Sequence, residues 1–179
     1  MTYISKMMSL NKNLILATGV IILLAFSRII PHPPNFTPIL SMAFFAGAIL
    51  DRRLFAYFVI ISSMLISDLY LGFHSSMLVV YFAISLSVLL GTIIHKRLNI
   101  INGLLGISGS VLLFYLITNF AVWYGSGMYT NNLQGLIECY ILALPFLQNT
   151  ISSTMLYSLL AFSVYYLADK YINFRLKRV

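Results

Sequence analysis

Residues 77–94 read MLVVYFAISLSVLLGTII, a stretch without a single charge, and Lys96 and Arg97 follow just beyond it. A bilayer crossing takes about 20 apolar residues in a helix, so this segment is predicted to span and its basic end to mark an interface. Apolar segments of the same kind recur at 14–30, 36–50, 54–71, 101–124 and 148–168, with a shorter amphipathic stretch at 133–147. The expected architecture is an all-α integral membrane protein: a compact bundle of six transmembrane helices with an extra short amphipathic segment before the last helix. It is read as a single transmembrane domain over 1–179.

Composition agrees. Of 179 residues, 60% are hydrophobic and 8% charged, against roughly 25% charged in a soluble domain. Mean hydropathy is +0.94, which excludes a disordered chain, and the lone Cys139 excludes an internal disulfide. The second segment is short, about 22 Å at the helical rise, so it is expected to thin the bilayer or to begin as non-helical backbone. Pro31-His32-Pro33-Pro34 immediately before it favours the latter. The first segment follows Lys6 and Lys12 as a secretory signal would. It runs too long and lacks a cleavage pattern, so a retained span is expected.

Charge sets the orientation. Lys6, Lys12, Arg52, Arg53, Lys96, Arg97, Lys170, Arg175, Lys177 and Arg178 all fall on one side of the alternating topology, and Arg28 alone on the other. The positive-inside rule then makes both termini cytoplasmic, in a bacterial cytoplasmic (inner) membrane. The net charge of +7 is absorbed by topology, and no nucleic-acid partner is expected, because the cations are scattered in short turns and form no basic face.

The remaining polar residues gather at the outer ends of the spans: Arg28, His32, Asn35, Asp68, His74, Asn119, Glu138, Gln148 and Asn149. Polar groups at membrane depth are costly and mark sites or pathways, and their shared leaflet predicts an outer polar cavity that binds a small molecule. Helical spacing supplies its walls: His74, Met77, Tyr81 and Ser85; Tyr115, Asn119 and Trp123; Gln148, Ser152 and Met155; and Met64 with Asp68. Other readings stand beside this one. The aromatic stripes also suit helix packing or an interfacial belt, Asn119 an interhelical hydrogen bond, and Arg28 with Asp68 or Glu138 a buried ion pair. His32 also suits a surface loop, His74 a helix cap, and Cys139 a buried apolar thiol.

Enzyme signatures are missing. No pair among His32, His74, Asp68 and Glu138 has metal-ligand spacing, and Gly106-x-Ser108-x-Ser110 departs from a nucleophile elbow. With no phosphate-binding glycine loop the chain is not expected to hydrolyse ATP. Neither a catalytic residue, a metal nor a cofactor is assigned. An intramembrane enzyme using the outer His, Asp and Glu residues, and a structural or assembly protein, remain the alternatives to a binding and transport role.

Three stretches carry a family resemblance: Arg28 to His32 with Ala43-Phe44-Phe45-Ala46-Gly47, then Asp68-Leu69-Tyr70-Leu71, then Trp123 through Glu138 into Pro145. With six spans and a Pro-rich first outer loop, the chain resembles the S components of energy-coupling factor (ECF) vitamin transporters. It is most similar to the solitary cobalamin-type S components and to related uncharacterised transport proteins. The resemblance implies a substrate-binding subunit that captures a vitamin or precursor from outside under a lid of loops, here 32–36, 72–76 and 125–138. It also implies a partner, a transmembrane coupling subunit with ATPases. Two departures accompany it: the usual Ala-x-x-x-Ala pair is absent from the first span, and the third loop carries His74-Ser75-Ser76 where solitary cobalamin members have a cysteine.

Overall fold

The computed structural model describes residues 14–15, 18–19, 21–23, 26 and 29–176, leaving aside the side chains of 173, 175 and 176. Helical backbone at 14–15, 18–19, 21–23 and 26 is called α1. There follow α2 (Ile39–Ile49), α3 (Arg53–Leu71), α4 (Met77–Ile94), a 3-10 turn (His95–Arg97), α5 (Ile100–Gly125), α6 (Leu133–Leu142) and α7 (Leu144–Leu176). Among the described residues there is no strand.

The junctions follow from local chemistry. Gly72 ends α3 in the left-handed region, at φ 96°, which a side chain would resist, and its amide donates to the Asp68 carbonyl. Asn99 and Asn132 cap α5 and α6, each side-chain oxygen accepting from the amide three residues on, at 2.9 Å. Pro145 sits in the first turn of α7, where its missing amide hydrogen costs no helical bond. The amphipathic stretch expected at 133–147 therefore divides, with α6 ending at Leu142 and α7 already under way at Leu144.

Among the described residues, four helices are long and apolar enough to cross a membrane: Arg53–Leu71, Met77–Arg97, Ile100–Gly125 and Leu144–Ile172. The protein is thus a helical, membrane-embedded one. The second expected span differs. Pro38 steers Thr37 before it away from helical backbone and itself stands as the cap of α2, which has only 11 residues, about 16 Å of rise, too little to cross.

This short helix is the centre of the molecule. Nine of its residues, Leu40 to Ala48, are buried, and α3, α4, α5 and α7 all pack on it. Between apolar helices in lipid, tight packing replaces the hydrophobic effect as the source of association, and small residues allow it. Here Gly47 and Gly91 let α2 and α4 touch backbone to backbone: a methyl at Gly47 would strike the Val88 carbonyl oxygen, and one at Gly91 the Phe44 carbonyl oxygen. Gly106 on α5 makes room for the Phe44 ring in the same way.

The register of α2 places it in one half of the bundle. Ser87 Oγ donates to the Leu40 carbonyl at 3.1 Å, and the His95 ring lies 2.8 Å from the Ala48 carbonyl, so α2 runs parallel to the last nine or so residues of α4. Ser87 is ten residues past Met77, about 15 Å along the axis. The non-helical segment 31–38 therefore reaches a level midway down α4 before the helix begins.

Candidate functional site

The loop 31–38 is held by α7. Asn149 Nδ2 donates to the Pro34 carbonyl at 3.0 Å, and Ser153 Oγ to the Asn35 carbonyl at 3.4 Å. Asn35 adopts φ 60°, a left-handed conformation that asparagine tolerates better than most residues. His32 is exposed, its Nδ1 lying 2.9 Å from the Pro33 carbonyl. Prolines at 31, 33, 34 and 38 restrict the backbone, so the loop enters the bundle in one shape.

Asp68 is a carboxyl side chain buried within the fold. It is 1% exposed, and its Oδ2 accepts from the Tyr81 hydroxyl at 2.7 Å, joining α3 to α4. Tyr81 thus does face the interior, as the His74, Met77, Tyr81, Ser85 stripe implied, but His74 turns outward and meets Ser76 Oγ at 3.1 Å.

A third group ties α6 to α5. Tyr115 and Tyr140 hydroxyls donate to the Tyr140 and Leu116 carbonyls at 2.5 and 2.6 Å, and Trp123 Nε1 to the Thr130 carbonyl at 3.0 Å. Asn119 Nδ2 donates within its own helix, to the Tyr115 carbonyl at 2.8 Å. Its carbonyl accepts from the Cys139 thiol at 3.5 Å. Burial pushes that thiol above its usual range, partly offset by hydrogen bonding with Tyr129, so Cys139 is a neutral buried thiol.

The residues singled out from the sequence thus separate. Asn35 with Asn149, Asp68 with Tyr81, and Asn119 with Trp123 form three groups, while His32, His74, Glu138 and Gln148 are exposed. Arg28 lies outside the described residues, as do Lys6, Lys12, Lys177 and Arg178. The inward stripe of α7 is Thr150, Thr154 and Ser158, all buried, whereas Ser152 and Met155 are exposed. No cluster of three or more His, Cys, Asp or Glu side chains forms among the described residues.

The opposite end carries a feature the sequence reading missed. A cavity of about 670 Å³ opens where α2 and α4 end and α3 and α5 begin, beside Asp51, Arg53, His95, Lys96, Arg97 and Asn102. His95 is its keystone: Nδ1 faces the Ala48 carbonyl at 2.8 Å and Nε2 the Asp51 carboxylate at 3.0 Å. Both partners are hydrogen-bond acceptors, so the ring bridges the end of α2 and the carboxylate that follows it. A separate apolar cavity of about 350 Å³ lies between α1 and α3, beside Ile22, Phe26, Phe58 and Ser63. The residues expected to wall an outer cavity line neither.

A family model covers nearly the whole of this arrangement, matching residues 8–175; it describes DUF6580, a family of unknown function. The chain belongs to the DUF6580 family. No curated protein and no solved structure matches it. The match runs through all of α2 to α6 and α7 as far as 175, so the buried short helix, the Pro-rich loop and both polar ends of this DUF6580 protein lie inside the family region.

Proposed function

We propose that the protein is a transport protein of the bacterial cytoplasmic membrane, which binds a small water-soluble molecule of vitamin or precursor type and moves it inward. In this reading the chain crosses the bilayer six times, α2 and its loop together making the second pass, with both termini cytoplasmic. The observation that carries the proposal is the segment 31–38, non-helical to the level of Ser87. Irregular backbone at membrane depth persists only where protein covers it or a watery cavity adjoins it. Interrupted helices of this kind build the midplane sites of transporters.

The outer residues then take parts. His32 and Asn35 sit on the interrupted segment, Asn149 holds it, Asp68 and Tyr81 supply a buried acceptor and donor, and Asn119 and Trp123 offer an amide and an aromatic face. The resemblance to ECF S components supports the same class and supplies the partner, a transmembrane coupling subunit with ATPases.

Trp123 is the only tryptophan and lies at this end, so its emission is the readout. The purified chain in lipid nanodiscs is titrated with vitamins and their precursors, following Trp123 fluorescence and the thermal midpoint together. A saturable change in both, weakened in Asn149→Ala and Asp68→Asn, sustains the proposal. A ligand that stabilises the parent and both variants equally, or uptake into cells that is indifferent to deleting the gene, overturns it.

A further inference from the structure

We propose that the cavity at the His95 end is a binding site for a phosphate-bearing anion, a site distinct from the loop end of the bundle. Three cations border it: Arg53 at the start of α3, and Lys96 and Arg97 on the 3-10 turn after α4. Its one carboxylate, Asp51, is taken up by His95 at 3.0 Å. Among the described residues no ion-pair partner meets Arg53, Lys96 or Arg97, so a cavity of about 670 Å³ carries an uncompensated positive field.

The cations stand on a scaffold that is already held. Asn102 Nδ2 donates to the Arg97 carbonyl at 2.7 Å, and the His95 ring fastens the start of the same turn to the end of α2. A preset turn spares an anion the cost of ordering the backbone that carries Lys96 and Arg97. Arg97 and Arg53 offer the planar forks that suit phosphate oxygens, and Lys96 a mobile point charge. α3 opens beside the cavity with no side-chain cap on its first amides, a further favourable dipole for an anion. Leu50, Ile93 and Ile94 also line it, an apolar border that suits the glycerol region of a phospholipid.

Cations at the ends of spans also arise from topology alone, and Arg52 separates the two accounts: it neighbours Arg53 but does not line the cavity. The full chain is reconstituted in nanodiscs holding equal phosphatidylglycerol and phosphatidylcholine, released into the gas phase for native mass spectrometry, and separately melted with and without inorganic phosphate. Retention of phosphatidylglycerol over phosphatidylcholine, falling about fivefold for each cation removed in Arg53→Gln, Lys96→Gln and Arg97→Gln, identifies a headgroup site. Stabilisation by inorganic phosphate alone, lost in the same variants, identifies a soluble phosphate compound. Either result sustains the proposal. An equal loss in Arg52→Gln, retention unchanged in the triple variant, or no preference for either anion overturns it. The three side chains are exposed, so their removal leaves the packed core in place.

Discussion

Gly91→Ala tests the interior directly, because the added methyl has one place to go and the backbone of α2 is already there. Its Cβ would run into the Phe44 carbonyl oxygen and come within 2.8 Å of the Ala48 nitrogen and 3.1 Å of the Gly47 carbonyl carbon. Carbon to oxygen contacts between helices settle near 3.3–3.6 Å, so α2 and α4 must move apart by about 1 Å. Overpacking of this kind costs about 1–3 kcal/mol. The same separation stretches the Ser87 to Leu40 bond from 3.1 Å and the His95 to Ala48 contact from 2.8 Å, each worth about 0.5–1.5 kcal/mol. The total is roughly 2–6 kcal/mol, a fall in thermal midpoint of about 4–24 °C for a chain of this size.

The assay is thermal unfolding in one detergent, read by circular dichroism, beside two controls. A methyl at Gly125 meets nothing within 4 Å, and one at Gly109 meets only the flexible end of Leu90 at 3.4 Å; both variants should melt within about 2 °C of the parent. Gly47→Ala should match Gly91→Ala, and the double variant should cost less than the sum, since one separation relieves both. A Gly91→Ala protein that melts with the controls would refute the backbone contact and with it the central position of α2.

Tyr81→Phe removes a donor from a carboxylate that is 1% exposed and should lower stability by about 1–3 kcal/mol, measurable in the same melts; an unchanged midpoint refutes the pair. Cys139 is 2% exposed and neutral, so a maleimide should modify it far more slowly than a cysteine placed at Ser126, and denaturant should abolish the difference. In intact cells an impermeant thiol reagent should reach Ser126→Cys, while Lys96→Cys should react only after lysis; the reverse pattern inverts the orientation. Asn102→Ala frees the Arg97 carbonyl and removes a 2.7 Å tether, so the 95–99 segment should gain hydrogen-exchange rate with little change in global midpoint, and an unchanged exchange rate shows that the tether does not hold the turn.

The long helices were legible because breakers and charges bound them. The uncharged run 77–94 matches α4 end to end, and 54–71 and 101–124 fall within one residue of α3 and α5 at each end, the limits being Gly72, the basic pairs and Asn99. What the residues could not disclose was facing. Lipid and protein interior are equally apolar, so the stripe Gln148, Ser152, Met155 and the stripe Thr150, Thr154, Ser158 look alike in sequence, and the second faces inward. The shortness of α2 was foreshadowed by its prolines. Its burial on every side depends on Gly91 and Gly106, which lie 44 and 59 positions beyond Gly47.

The polar residues were visible as a list but not as partners. Asp68 with Tyr81 joins adjacent helices and follows from their hairpin, whereas Asn149 with Pro34 spans 115 positions and has no local signal. At the basic end the positive-inside rule accounts for Arg53, Lys96 and Arg97 by topology alone, and that sufficiency masks the cavity they border. The one clue was an acid beside one basic pair, Asp51, and a histidine beside the next, His95.

The burial of α2 also bears on how the protein is made. A span emerging from the ribosome is normally accepted into the bilayer on its own hydrophobic length, and eleven residues fall short of that threshold. The following helix α3 meets that threshold and would have to be admitted first, with the short segment before it as a passenger at the surface. Its descent into place then waits for α4, α5 and α7 to offer the glycine-lined slot. Biogenesis on this plan ends with the Pro-rich loop drawn inward as the last piece seated, and a chain truncated before α7 would leave residues 31–49 accessible to protease.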